Sequence, residues 1–500
     1  MRKNDYDTLV KPRNQAPKSL SFILVIARQR QPFTFTPTQT DTQRRRQQQR
    51  KHQPPPNPTD FHLNQPPPGT MKIAFLHPDL GIGGAERLVV DAAVSLVNRG
   101  HHVAMYTSHY TTERCFDETK NGMFHVHVYG DWLPRYICHL GHILFAILRG
   151  IWLALRVGFS CTRYDVYVCD QISIYVPILR ILAPRSKILF YCHFPDQLLS
   201  KRTNCLKSLY RIPFDMIEQV TTALSDRVLV NSKFTKSIYK RTFTLVAKDP
   251  YVLYPCVFLD ELNTIGAEPT PDVETDIVLL SINRFERKKN IALAVEALVE
   301  LRALVSSDTY DRVKLVLAGG YEERIQENKD YYEEIQKVVQ QGNVQDKIEY
   351  KLSFSDAEKL ELLSSCTAVV YTPENEHFGI VPIEAMAAAR PVLATNSGGP
   401  MESVEHEKTG YLQEISAKSF AIGMASLVKY PLKAKLMGEA GRKRVTRMFS
   451  RDSFGAQLEN HCDILVKQKS WSLLEIAISY SPMGVGAGLY LGSRYMWGTR

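Results

Sequence analysis

The chain has 500 residues, 44% hydrophobic and 23% charged, a balance that excludes a wholly disordered protein and a length that excludes a single core. Its formal charge of +10 is unevenly placed: residues 1–70 hold 12 Lys and Arg against 4 Asp, a net of +8, which leaves +2 for residues 71–500. A charge confined to a tail removes most of the case for nucleic-acid binding by the folded part, so no nucleic-acid partner is expected.

The nine cysteines, from Cys115 to Cys462, form no C-x-x-C pair and no zinc-type spacing with histidine. That dispersal points to reduced thiols in a cytosolic setting, with neither a disulfide framework nor a zinc site.

Residues 1–70 contain eleven of the 27 prolines and the run "RRRQQQRK", a composition that cannot bury a core. They are expected to be a disordered tail with polyproline II character. The short apolar run "LSFILVIA" (20–27) lacks the flanks of a signal peptide, and Met71 is itself a candidate start of translation.

From Met71 onward, short apolar strands alternate with helical stretches. Strands are expected at "KIAFL", "HVAMYT", "FHVHVYG", "DVYVCD", "KILFYCHF", "DRVLVNS" and "YVLYP". After a looser stretch around residues 258–275, a second series runs "IVLLSINRF", "VKLVLAGG", "KIEYKL", "AVVYTP" and "PVLATN". Strand and helix alternating twice over define an α/β protein of two Rossmann-like parallel-sheet domains, residues 71–260 and 261–450, facing across a cleft. A helix over 451–466 is expected to return to the first domain.

Two hydrophobic segments stand apart. Residues 137–159 are long enough to span a bilayer but contain Arg149 and Arg156, so a helix lying in a membrane interface is the favoured reading, with a buried helix as the alternative. Residues 467–500 form an apolar tail broken by Pro482 and several glycines, whose role the sequence leaves open.

Four motifs carry chemistry. In "HPDLGIGGAERLVV" a strand ends at His77, and Gly81, Gly83 and Gly84 lead into a helix. Glycines there let backbone N–H groups approach an anion, although the dinucleotide spacing is absent. In "SINRFERKKN", Arg284 and Lys289 follow a strand's carboxyl end, a place where two cations suit a diphosphate that gains charge as it leaves. In "YTPENEHFGIVPIEAM" a loop precedes a helix with Pro382 in its first turn. There the N–H groups of Phe378, Gly379 and Ile380 form an anion site of helix-terminus type. Glu376 can reach a sugar hydroxyl, and Glu384, a turn into the helix, a second diol such as a ribose. In "FYCHFPD", His193 follows a first-domain strand and can face the donor. Gly319, ending "LAGG", and the turn "NSGG" are compatible with a nucleotide-lined cleft. The only Asp-x-Asp, Asp5–Asp7, lies in the tail, so no metal is expected to bridge the diphosphate.

Together these motifs resemble the retaining glycosyltransferases of GT-B architecture, whose marks are an N-terminal glycine loop, an Arg-x-x-x-x-Lys after a second-domain strand, and two glutamates separated by seven residues. Over residues 71–465 the segments "FLHPDLGIGGAERLVVDAA", "YCHFPDQLL", "LLSINRFERKKN", "LAGGYEER" and "YTPENEHFGIVPIEAM" resemble, more closely, the mannosyltransferases of asparagine-linked glycosylation. The resemblance implies GDP-mannose as donor, transferred to dolichol-diphosphate-linked Man1GlcNAc2 and Man2GlcNAc2, first α-1,3 and then α-1,6. It further implies work at the cytosolic face of the endoplasmic reticulum membrane, with other mannosyltransferases of the pathway as candidate partners. Arg284, Lys289, Glu376 and His193 are then the catalytic candidates. Gly83, Gly84, Gly319, Phe378, Gly379, Ile380 and Glu384 are the donor-binding candidates.

In that mechanism the acceptor hydroxyl attacks from the side the diphosphate leaves, and a donor phosphate oxygen takes its proton, so configuration is retained. The alternatives are a transferase of another nucleotide sugar such as UDP-glucose, a recruiting protein that uses its proline runs, and a nicotinamide dehydrogenase.

Overall fold

The structure, a computed structural model, describes residues 69–136, 141–199, 205–262 and 276–468. The expected disordered tail and the apolar C-terminal tail therefore fall almost wholly outside the described residues.

The first domain is one parallel sheet built from β1 (Lys72–His77), β2 (His102–Thr107), β3 (His125–Val128), β4 (Val166–Asp170), β5 (Lys187–Cys192), β6 (Arg227–Val230) and β7 (Tyr251–Val252). Its order is β3-β2-β1-β4-β5-β6-β7. The second sheet contains β8 (Ile277–Ile282), β9 (Val313–Gly319), β10 (Ile348–Leu352), β11 (Ala368–Tyr371), β12 (Val392–Thr395) and β13 (Gly410–Gln413), in the order β10-β9-β8-β11-β12-β13. Two Rossmann-like domains are thus confirmed. The sequence reading missed β13, because "GYLQ" is short, opens on glycine and forms one edge of the sheet.

The strands read as apolar runs because helices cover both faces of each sheet. Side chains alternate along β1: Ile73 and Phe75 enter one core, Ala74 and Leu76 the other. In β8, Leu279 faces one core while Leu280 and Ile282 face the other. In each sheet the strand order reverses once, between β1 and β4 and between β8 and β11, and ligands of such sheets bind beyond the strand ends at that reversal.

The segment expected at a membrane interface forms a helix over His142–Gly158, and residues 137–140 lie outside the described residues. One face is core: Arg149, Gly150, Leu153, Ala154 and Val157 are buried. Gly150 permits this packing, since a Cβ there would meet Ile174 at 2.7 Å. The other face exposes Leu144, Leu148 and Trp152, four residues apart, and Phe159 follows just beyond the helix. The buried-helix reading therefore holds for one face, and the other face is exposed and apolar. Among the described residues no helix is long and apolar enough to cross a membrane.

The last helix, Arg451–Lys467, packs on the first domain, adding Phe454, Leu458, Cys462 and Leu465 to the core that holds Ile73 and Phe75. Arg99 fixes it by donating to Glu459 at 3.0 Å and to Asp452 at 2.7 Å. The eight described cysteines are free thiols, six of them buried.

Candidate active site

In the second domain the site is assembled at the reversal between β8 and β11. The chain leaves β8 through Asn283 and Arg284 and makes a 3-10 turn over Arg287–Lys289. The chain leaving β11 carries Glu376. Lys289 Nζ donates to Glu376 Oε2, and Tyr371 Oη, at 3.4 Å, donates to the same oxygen. Thr372 Oγ1 donates to the Lys289 carbonyl at 2.8 Å, which ties the two loops together. Burial would raise the Glu376 carboxyl, but the Lys289 ammonium beside it holds it below its ordinary range. Lys289 and Glu376 are thus brought together, an arrangement in which the acid orients the cation and a bound sugar or phosphate can share both.

Arg284 follows the same strand end as Lys289 but sits farther out. Its side chain is 67% exposed, against 13% for Lys289, and it pairs with Glu286 at 3.2 Å. Its neighbours are also ion-paired, Lys288 with Glu286 and Arg287 with Glu334. Glu384 accepts from Lys359 Nζ at 2.7 Å, a partner the sequence did not suggest.

Helix Ile380–Ala387 begins after Gly379, whose φ of +80° favours glycine and where a Cβ would press on the Tyr371 ring at 3.1 Å. Among the described residues the Phe378, Gly379 and Ile380 N–H groups have no acceptor, as the first amides of a helix require an outside partner. The "NSGG" turn has a packing role: Gly399 N–H donates to the Glu376 carbonyl at 2.8 Å, and a Cβ on Gly398 would strike the Glu376 backbone at 2.5 Å. Gly319 has a similar explanation, since its Cβ would lie 1.7 Å from the Asn283 carbonyl oxygen.

In the first domain, His77 ends β1 and Asp170 ends the adjacent β4, so both stand at the reversal point. His77 Nδ1 lies 2.8 Å from Asp170 Oδ2, and His193 Nε2 lies 2.8 Å from Asp170 Oδ1. The glycine loop passes beside them: Gly83, in extended backbone, precedes the helix that starts at Gly84, and Glu86 Oε1 is 4.0 Å from His77 Nε2. Sequence reasoning passed over His77 and Asp170. The available signal was a charged or titratable residue closing an otherwise apolar strand.

The two halves meet at this place. The rings of Phe194 and His377 stack with centroids 3.7 Å apart. Ser232 Oγ donates to the His377 carbonyl at 2.5 Å, and Glu402 accepts the Lys233 and Phe234 N–H groups, both at 2.8 Å. Burial lowers the His377 pKa, which favours the neutral ring.

A cavity of about 560 Å³ opens beside His193 and His377, walled by Ile147, Phe214, Ile217 and Glu218. Glu218 accepts the Asp196 N–H at 2.7 Å and the Gln197 N–H at 3.1 Å, pinning the loop that carries His193 and Phe194. Burial, with Asp196 and Asp215 adding to it, pushes this carboxyl up to about 7 against those two hydrogen bonds.

Twin parallel sheets that meet at the Phe194–His377 stack, next to a cation–carboxylate pair at the second sheet's reversal point, define a GT-B glycosyltransferase. Residues 82–261 match the family Glycosyltransferase Family 4, and residues 267–444 match Glycosyl transferases group 1. The chain belongs to the alpha-1,3/1,6-mannosyltransferase ALG2 family. It is 47% identical over 393 residues to the Homo sapiens member, covering 77% of this chain and 94% of that one. It is 40% identical over 451 residues to the Saccharomyces cerevisiae member, covering 82% and 88%. Among solved structures, sucrose-phosphate synthase from Thermosynechococcus elongatus shares the fold at a TM-score of 0.60 and 19% identity, over 79% of this chain and 99% of that one.

Proposed function

We propose that this chain transfers mannose from GDP-mannose to dolichol-diphosphate-linked oligosaccharides, making an α-1,3 and then an α-1,6 linkage in the assembly of the asparagine-linked glycan precursor. Kinship over nearly the whole length of the curated mannosyltransferases supports the identity of sugar and acceptor. The observation that carries the chemistry is the meeting of Lys289 and Glu376 at the second domain's reversal point, followed in the chain by three amides with no acceptor among the described residues.

The diphosphate lies against those amides, with Lys289 and the outer Arg284 taking up charge as the bond to the anomeric carbon breaks. No metal is required in this account, because cations and helix amides supply the neutralisation. Glu376 holds Lys289 and orients the mannose, and Glu384, released from Lys359 or sharing it, binds the ribose. Gly83 and Gly84 allow the first domain's backbone to close over the donor. His193 accepts a sugar hydroxyl from the opposite side.

The acceptor occupies the cavity beside His193. The exposed Leu144, Leu148 and Trp152 face supports seating at the cytosolic surface of the endoplasmic reticulum membrane, where other mannosyltransferases of the pathway are within reach.

The test is transfer by full-length protein to dolichol-like acceptors carrying one or two mannoses, with a donor panel of GDP- and UDP-sugars. Linkage-specific mannosidases read the products. Transfer from GDP-mannose alone, giving both linkages, is expected. Equal or better transfer from a UDP-sugar overturns the donor assignment.

A further inference from the structure

We propose that Asp170 is a positioning residue of the transferase site, one carboxylate shared by two histidine rings, which fixes the His193 ring with Nδ1 toward the cleft. This rests on the reading that His193 meets the bound sugar.

The geometry is specific. Asp170 is 1% exposed and closes β4, His77 is 0% exposed and closes β1, and His193 follows β5. The three strands are neighbours in the sheet, so their carboxyl ends deliver the three side chains to one point. Each carboxylate oxygen has its own ring nitrogen at 2.8 Å. Asn231 Nδ2 holds the His193 backbone by donating to its carbonyl at 3.1 Å, and the Tyr191 ring lies 4.9 Å from the imidazole. The ring therefore has its hinge and one face fixed, and Asp170 fixes its rotation.

The charge state follows. Burial alone would raise the Asp170 carboxyl, but the His193 and His77 rings more than offset it and hold the carboxyl down to about 2. An ionised carboxylate only accepts hydrogen bonds, so His193 Nε2 and His77 Nδ1 must both carry hydrogen. In the neutral His193 ring, Nδ1 then bears the lone pair, and it has no partner among the described residues. A lone pair held there accepts a hydrogen bond from a sugar hydroxyl, and in the opposite tautomer it cannot. His77 serves as the second donor that keeps the carboxylate turned toward His193. Its Nε2 is buried with no hydrogen-bond partner among the described residues, and Glu86 Oε1 lies 4.0 Å away.

Asp170→Ala in the full chain should lower kcat about 100-fold, the low end of what loss of one preorganised hydrogen-bonding group costs. The KM for GDP-mannose should stay within about threefold. Asp170→Asn preserves shape but offers one acceptor to two rings, so an intermediate loss is expected.

In a His193→Ala background, Asp170→Ala should cost no more than about threefold further, because two residues acting as a unit are not additive. Nitrogen-15 spectra of histidine-labelled protein should show His193 protonated at Nε2 in the wild type and a tautomer mixture in Asp170→Asn. That measurement does not depend on the donor. An inactive wild type with the expected tautomer would therefore refute the functional reading alone. Wild-type kcat in Asp170→Asn, losses that add in the double variant, or an unchanged tautomer would each overturn the positioning role.

Discussion

The rings of Phe194 and His377 lie 3.7 Å apart and within 9° of parallel, so the residue after His193 in one domain is stacked on the residue after Glu376 in the other. Each candidate side chain is thereby registered against its counterpart across the cleft. Stacked aromatic pairs contribute about 1 kcal/mol beyond their buried area. Phe194→Ala should lower kcat/KM for mannose transfer by about fivefold to tenfold, and Phe194→Tyr should largely preserve it. An unchanged kcat/KM in Phe194→Ala would show that the stack does not register the two halves.

Lys289 and Arg284 should separate sharply. Lys289→Ala removes a nearly buried cation and leaves Glu376 unpaired beside the diphosphate, so kcat should fall by about 10² to 10³. Arg284 is mostly exposed and already paired with Glu286, so Arg284→Ala should cost about tenfold. Glu376→Gln frees Lys289 but removes its orienting acid, and its kcat should fall between the two. Single-turnover rates with GDP-mannose decide the order.

Glu402 caps the first turn of helix Lys233–Thr242 from the other domain by accepting two of its N–H groups. Removing such a cap costs about 1 kcal/mol. Glu402→Ala should therefore loosen the contact between domains, raise the KM for the donor severalfold and lower the melting temperature by a few degrees. Calorimetry and donor saturation curves check the two effects together.

Stability should decline in mild acid through His461. Its Nδ1 lies 2.8 Å from Arg227 Nη1, and burial with the Arg227 charge lowers its pKa to about 4. The unfolded chain takes up a proton near the ordinary histidine value of about 6.5, the folded chain only near 4. The unfolded state thus binds more protons in that window, and stability is lost as pH falls from about 6.5 toward 4. Allowing for partial exposure, the loss should be about 1–2 kcal/mol. His461→Gln should flatten this part of the pH–melting curve, and an unchanged slope would assign it to other groups.

Most strands were legible in the sequence because a sheet covered on both faces demands unbroken apolar runs, and β4 and β5 are buried along their whole length. The pairing of Lys289 with Glu376 was not legible, because 87 residues separate them and only the adjacency of β8 and β11 joins their loops. His77 and Asp170 looked like ordinary strand ends until the strand order placed them side by side. The glycines of "LAGG" and "NSGG" looked like ligand contacts. A glycine required by a ligand and one required by a neighbouring carbonyl have the same sequence signature. Helix His142–Gly158 resisted a single reading because apolar residues lie on both its buried and its exposed face.

The helix Arg451–Lys467 has a further consequence for biosynthesis. It is the last described element to leave the ribosome, yet it completes the core of the domain made first. Translation of the entire second domain must precede that closure, so until then the nascent first domain lacks Phe454, Leu458, Cys462 and Leu465 from its core and leaves uncovered the side of helix Gly84–Asn98 that holds Ser95 and Arg99. A premature stop shortly before residue 451 would therefore cripple the half of the protein farthest from the lesion, and the incomplete core would mark the product for chaperones and proteolysis.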